Sequence, residues 1–200
     1  MNFFKNNNFT GFVIRFLLIF AFCYLGSLAI IGLSAPGGYY SPFIDHYLDF
    51  ISWIRMSLLF GTKAVLKVAG IDTYYMGEYI LRKVNGRGIK LVYGCIGYGV
   101  MSFWIAFVAA STTKKIKKIS WMIGGLLLIW VINIARIALL LVATNDNWKM
   151  PLGWDHHTWF NITAYIAIFI RMYFLIKTLT IEESLRLEID RVDKVMALPG

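Results

Sequence analysis

The sequence predicts an all-α fold, a polytopic membrane helix bundle of about four to six transmembrane helices with an interfacial or re-entrant segment after the first. Three observations carry that reading. First, 58% of the 200 residues are hydrophobic, above the roughly 45–50% apolar share of soluble domains, and the mean hydropathy is +0.64. Second, the chain holds several apolar runs of about 20 residues, long enough to cross a hydrocarbon core as helices that satisfy their own backbone. Third, Lys and Arg gather at the ends of those runs and in the connections, so the net charge of +9 marks topology and points to a lipid bilayer as partner, with no nucleic acid.

A first span is predicted over residues 10–33, stopped by Pro36, Gly37 and Gly38. Its apolar run of about 22 residues is too long for a signal-peptide core, and Ser34-Ala35-Pro36-Gly37 is only loosely like a cleavage site, so the span is read as retained. Residues 41–70 are interrupted by Asp45, His46, Asp49, Arg55, Lys63 and Lys67, a polarity that fits an amphipathic helix at the interface or a shallow re-entrant hairpin. Residues 71–90, with Asn85-Gly86 and Arg87-Gly88, read as a solvated loop holding a short helix.

A second span over 91–113 runs into the cluster Lys114-Lys115-Ile116-Lys117-Lys118. Four lysines in five residues place that turn in the cytoplasm. A third span over 119–143 leads to a polar outer loop, a fourth over 157–179 returns, and the charged tail 180–200 is cytoplasmic. Residues 55–90 carry seven Lys or Arg, more than the positive-inside rule favours for an outer segment, although the bias fades in long loops. No internal repeat appears.

Two cysteines supply neither a disulfide framework nor a four-ligand zinc site. Cys23 sits mid-span and reads as a small hydrophobe. Cys95 differs in its setting. With the lysine cluster inside, Cys95 falls about one turn into the outer end of the second span, Arg136 about two turns below the outer end of the third, and His157 opens the fourth. A thiol, a guanidinium and an imidazole at one depth form the set a cysteine nucleophile requires: base, thiolate and a cation for thiolate or oxyanion. An intramembrane Arg costs about 2.5 to 3.5 kcal/mol on insertion scales. Asn133, one turn earlier, shares its face, so the stripe is expected to point into the bundle; the alternative is an Arg that snorkels outward or pairs with a loop carboxylate.

The segment Tyr93-Gly94-Cys95-Ile96-Gly97-Tyr98-Gly99 surrounds the thiol with glycines, suited to close approach of a substrate backbone or equally to tight helix packing. For Asp155-His156-His157 the readings are an interface anchor, a metal pair or a base. Neighbouring residues on a helix point about 100° apart, so the two imidazoles would not chelate one ion together. Asn161 lies on the His157 face and is placed to orient its ring or a substrate carbonyl.

These segments, Cys95-Ile96-Gly97, Asn133-Ile134-Ala135-Arg136 and His157-Thr158-Trp159-Phe160-Asn161, resemble the exosortase and archaeosortase family of membrane cysteine transpeptidases, in order and topology, over about residues 92–170, and the short bundle is similar to its compact bacterial members. Ile96 stands where many members have Ser, and Asn161 where Gly often follows the histidine. The resemblance implies a cell-membrane enzyme, active site on the extracytoplasmic side, with no cofactor or metal. It would cleave secreted proteins carrying a C-terminal motif, a transmembrane helix and a basic tail, through a thioester on Cys95, with His157 as general base and acid, Arg136 as stabiliser, and Asn133, Asn161 and Gly97 in support. Two rivals remain at this level: a noncatalytic transport or assembly component with a polar intramembrane pathway, and a metal-dependent hydrolase using His46, His156 and His157.

Overall fold

The computed structural model describes residues 7–34, 39–111, 115–148, 162, 165–174, 176–178 and 181. In chain order the elements are α1 (Asn7–Ser34), α2 (Pro42–Tyr47), α3 (Phe50–Val68), β1 (Thr73–Tyr75), β2 (Ile80–Lys83), β3 (Gly88–Lys90), a 3-10 turn (Tyr93–Cys95), α4 (Tyr98–Ala110) and α5 (Lys115–Asn145). Phe9–Ser34 and Ile116–Asn145 are long and apolar enough to cross a membrane, and Tyr98–Ala110 is a shorter apolar helix. Residues 165–174, inside the fourth expected span, are helical.

Aromatic side chains at helical spacing set the direction of the bundle. On α1, Phe12, Phe16, Phe20 and Tyr24 form one stripe, and they meet Phe107, Phe103, Phe103 and Tyr98 of α4 with ring centroids 5.8, 5.3, 6.4 and 5.7 Å apart. Ascending numbers on one helix match descending numbers on the other, so α1 and α4 are antiparallel. The opposite face of α1 presents Ile14 and Leu18 outward, as a lipid-facing helix does.

The α4–α5 seam is antiparallel too, and closer. Gly125 lies where a Cβ would run into the Trp104 indole, whose Nε1 donates to the carbonyls of Trp121 (3.2 Å) and Met122 (3.3 Å). A small residue lets the backbones approach and buries Trp104 completely. At one end of this seam Lys118 Nζ donates to Ala109 O (2.9 Å) and Ser111 O (2.8 Å), satisfying orphan carbonyls where α4 ends. Of the lysine cluster, Lys115 to Lys118 occupy the first turn of α5, beside the carbonyl end of its neighbour.

By these pairings α1 and α5 run parallel and finish at the end where α4 starts. The chain between them covers that end. The region 41–70 forms the short helix α2 and an uninterrupted α3 of 19 residues. Asp49 caps α3, accepting from Ser52 N at 3.0 Å. Ile51, Arg55, Leu58, Leu59, Thr62 and Leu66 form its buried face, and Gly61 packs against Trp130 and Ile134 of α5.

Residues 71–90 differ from the expected loop with a short helix. They form a three-stranded antiparallel sheet of order β1-β2-β3, with Tyr75 opposite Leu81 and Leu81 opposite Ile89. Thr73, Tyr74, Tyr75 and Ile80 favour extended backbone, while Gly77 (φ 73°) and Asn85 (φ 56°) take the left-handed conformations that reverse the chain. The β2–β3 turn sits on the last turn of α5. Arg87 N donates to Asn145 Oδ1 (2.7 Å), Arg87 Nη1 to Asn147 Oδ1 (3.3 Å) and Thr144 O (3.5 Å), and Lys83 pairs with Asp146 at 4.0 Å. Positive charge here faces the negative end of a helix dipole, which accounts for basic residues in a segment where membrane topology alone would not put them.

Substitution of Gly125 by Ala is expected to destabilise the chain by about 1–3 kcal/mol through overpacking against Trp104. Gly32→Ala, at a site with nothing within 4 Å, should be neutral. Thermal unfolding of both variants in detergent decides it.

Candidate functional site

Cys95 is buried, 6% exposed, and lies before the second apolar helix, not one turn inside it. It closes the 3-10 turn Tyr93–Cys95, and α4 begins only at Tyr98 because Gly97 has φ 80°, a left-handed conformation outside the helix. Residues 91–97 thus lie outside any α-helix: the carbonyls of Val92 and Tyr93 accept from Cys95 N and Ile96 N within the turn, while those of Leu91, Cys95 and Ile96 take side-chain donors.

Three long side chains from two helices provide them. Arg136 Nη2 donates to Cys95 O at 2.9 Å, and Asn133 Nδ2 to Ile96 O at 2.9 Å, both from α5. Arg55 Nη2 of α3 donates to Leu91 O at 2.8 Å. All three donors are buried, with Asn133 and Arg55 4% and Arg136 7% exposed. The structure therefore brings Cys95, Asn133, Arg136 and Gly97 into one cluster. Arg136 meets the main-chain oxygen of the cysteine residue and points into the bundle. His157 and Asn161 lie outside the described residues. Cys23 is half-buried on α1. His46 is exposed, its ring packed edge-on to Tyr47 at 4.7 Å, while its proposed metal-site companions His156 and His157 lie outside the described residues.

Arg55 is a site residue that the sequence reading used only as a mark of polarity. Its guanidinium carbon lies 3.4 Å from the centroid of the Tyr79 ring and 4.3 Å from that of Tyr93, so two aromatic faces offset the cost of its burial. The signal was available: Arg55 falls on the same helical face as Ile51, Leu58, Leu59, Thr62 and Leu66, an apolar stripe in which a charge requires a built partner.

Tyr93 and Tyr98, on either side of Cys95 in the chain, line two different cavities. One, of about 720 Å³, is walled by Phe22, Gly26, Ile54, Tyr98, Met101 and Trp130 among others, from α1, α3, α4 and α5. The other, of about 590 Å³, is lined by Ser34, Tyr40, Asp45, Asp49, Ser52, Trp53, Glu78, Tyr79 and Tyr93. In the second, Tyr40 donates its phenol hydrogen to Asp45 Oδ2 at 2.8 Å. That hydrogen bond, ahead of burial and the charge of Asp45, pushes the Tyr40 pKa up and keeps the phenol a donor.

The three glycines around Cys95 differ. At Gly97 a Cβ would lie 2.8 Å from Asn133 Nδ2 and would have to adopt a positive φ. At Gly94 nothing lies within 4 Å, and at Gly99 a Cβ would make ordinary contact with Tyr24. Gly97→Ala is expected to cost about 1–2 kcal/mol from the left-handed backbone, to displace the Asn133–Ile96 bond, and to lower activity about 10-fold or more; Gly94→Ala should leave stability within about 0.5 kcal/mol. Unfolding midpoints with activity on membranes compare them, and equal losses in both would refute the distinction.

No curated protein and no solved structure matches the chain. The family model described as transmembrane exosortase matches residues 9–173, from α1 through the described part of the last helix, and so takes in the Cys95 turn together with the α5 residues that hold it. The chain belongs to the transmembrane exosortase family.

Proposed function

We propose that this chain is a membrane cysteine transpeptidase or peptidase that removes C-terminal sorting signals from secreted proteins at the extracytoplasmic face of the cell membrane. Cys95 is the nucleophile, Arg136 the stabiliser of thiolate and oxyanion, and His157 the base and acid. The observation that carries the reading is the hydrogen bond from Arg136 Nη2 to Cys95 O. It fixes a permanent cation on the very residue that bears the thiol, in a buried turn where charge is poorly screened.

Each step follows from chemistry those groups can perform. His157 takes the thiol proton, and the thiolate adds to the carbonyl after the sorting motif. The guanidinium of Arg136 offsets the negative charge that moves from sulfur to oxygen. Collapse of the adduct releases the signal helix with its basic tail as an amine, which takes the proton from His157. The thioester left on Cys95 then passes to an amine, a hydroxyl or water. Asn133 and Gly97 hold the turn, and Asn161 orients the histidine. The orientation is supported by the lysines of α5, at the opposite end of the bundle from Cys95, which the positive-inside rule reads as the cytoplasmic side.

Co-expression with a secreted protein bearing such a signal, followed by the shift on cleavage, tests the assignment. Cys95→Ala should abolish processing. Arg136→Gln and His157→Gln should each lower it by about 100-fold or more, with Arg136→Lys intermediate because Lys keeps the charge and loses the planar fork. Processing that persists in Cys95→Ala overturns the thiol mechanism, and processing abolished by a chelator would replace it with the metal-dependent reading.

A further inference from the structure

Arg171 is a charged group that the cleavage chemistry does not use. It belongs to the helical stretch 165–174, an apolar run in which a guanidinium is costly unless a partner meets it. That stretch packs on the α4–α5 seam: Ile168 shares a buried cluster with Trp104, Val108 and Ile129, and Met172 packs against it. The Arg171 guanidinium carbon lies 4.7 Å from the centroid of the Trp121 ring, and Nη2 lies 2.6 Å from where a Cβ on Gly124 would stand. Trp121 thus offers a π-face, and Gly124 offers room. Nε, however, is buried and has no hydrogen-bond partner among the described residues. A charged donor left unmade is expensive, and such a group in a native structure calls for an occupant or an explanation.

The distribution of charge is an independent observation. Among the described residues the carboxylates are Asp45, Asp49, Asp72, Glu78 and Asp146. They belong to α2, the cap of α3, the sheet region and the residue after α5, all at the Cys95 end, and the described ion pair is Lys83 with Asp146. Arg171 meets α5 near its opposite end, where the lysines are. Lys118 there is engaged by the carbonyls of Ala109 and Ser111. Lys117 is exposed and, with Trp121 four residues on and Gly124 seven, shares the face of α5 against which Arg171 lies. Two cations at one helix seam, flanked by an interfacial Trp, match the recognition chemistry of a phosphate ester, to which Arg presents a planar fork of donors. Tyr173 and Phe174, exposed beside Arg171, offer aromatic surface to the apolar chains that a headgroup phosphate carries.

We propose that the seam between α5 and residues 165–174, at the lysine end of the bundle, binds the phosphate of an anionic phospholipid, with Arg171 as hydrogen-bond donor and Lys117 as second charge. The bound phosphate satisfies the buried guanidinium and ties the last helix to α5 at Gly124, where α5 has no side chain to bond. A headgroup carries its own acyl chains into the surrounding bilayer, so the site needs no enclosed cavity. It stands apart from the cysteine turn and holds whatever reaction that turn performs.

Native mass spectrometry of the full chain in a neutral detergent, titrated with phosphatidylglycerol and with zwitterionic phosphatidylcholine of the same chains, tests it. The first phosphatidylglycerol should bind at least about 10-fold more tightly than phosphatidylcholine. Arg171→Gln should abolish that preference, and Arg171→Lys should keep part of it, because Lys retains the charge and loses the fork. Lys117→Gln, at an exposed position, should weaken the preference about 3-fold or more and serves as the second variant should Arg171→Gln fail to fold. Lys67→Gln, at an exposed position near the end of α3, should leave it unchanged. Equal binding of the two lipids, a preference retained in both Arg171→Gln and Lys117→Gln, or an equal loss in Lys67→Gln overturns the proposal. Inorganic phosphate at millimolar concentration separates the two sources of the anion: bound phosphatidylglycerol that resists it supports the lipid, and displacement would assign the site to free phosphate and overturn the lipid.

Discussion

Everything at the Cys95 end of the molecule depends on satisfying three carbonyls, of Leu91, Cys95 and Ile96, in a stretch of backbone that is not α-helical. In a hydrocarbon environment an unpaired carbonyl costs several kcal/mol, and irregular backbone persists there only when protein groups hydrogen-bond it. Residues 91–97 stay outside α4, which starts only after Gly97 takes a left-handed conformation. Three of their carbonyls are met by Arg55, Arg136 and Asn133. The same contacts relieve the donors, since a guanidinium buried between helices needs acceptors as much as the carbonyls need donors. Each side thereby offsets part of the other's cost, with Arg55 Nε left without a hydrogen bond among the described residues, and the thiol is carried on a held turn instead of a helix face.

That exchange explains the layout of the rest. Arg55 can reach Leu91 only if α3 lies along α5, which the small Gly61 permits by admitting Ile134 and Trp130. The sheet follows, because Tyr79, on the chain entering β2, must cover Arg55, with its hydroxyl donating to Ser52 Oγ at 3.1 Å. The other end of the sheet rests on α5 through Arg87 and Asn145. At the far end of the bundle the same logic recurs with Lys118 on the α4 carbonyls. Basic residues thus serve helix C-termini at both ends.

Much of this was legible in the sequence, for reasons that differ by element. The 10–33 and 119–143 spans are written in unbroken apolar runs, and the structure carries helices through both. Asn133 and Arg136 stand out as polar groups on one face of such a run, and both point to the Cys95 turn. The sheet of residues 73–90 was hidden because its strands are three or four residues long, too short for an alternating pattern to rise above charged neighbours. Cys95 was placed inside a helix because the apolar run is continuous through it. Only the positive φ of Gly97, a property that composition does not encode, moves the helix start to Tyr98. The polar cavity draws on α1, α2, α3, the strand region and the 3-10 turn, and a cavity assembled from five separate segments has no local signature.

That Tyr93 and Tyr98 line two unlike cavities is a consequence of those contacts. Tyr93 precedes Cys95 by two residues and lines the polar cavity; Tyr98 follows by three and lines the apolar one. The change of direction comes at Gly97, and it sends Tyr98 toward the Tyr24 ring of α1 while Tyr93 stays against Arg55. A regular helix through this stretch would put residues 93 and 98 about 140° apart on one cylinder and would bury the carbonyl of Cys95 in its own hydrogen-bond ladder. Breaking the helix frees that carbonyl for Arg136. The break in the helix and the cation at the cysteine are therefore one feature, and Asn133, bonded to the next carbonyl and in contact range of Gly97, is the residue that couples them.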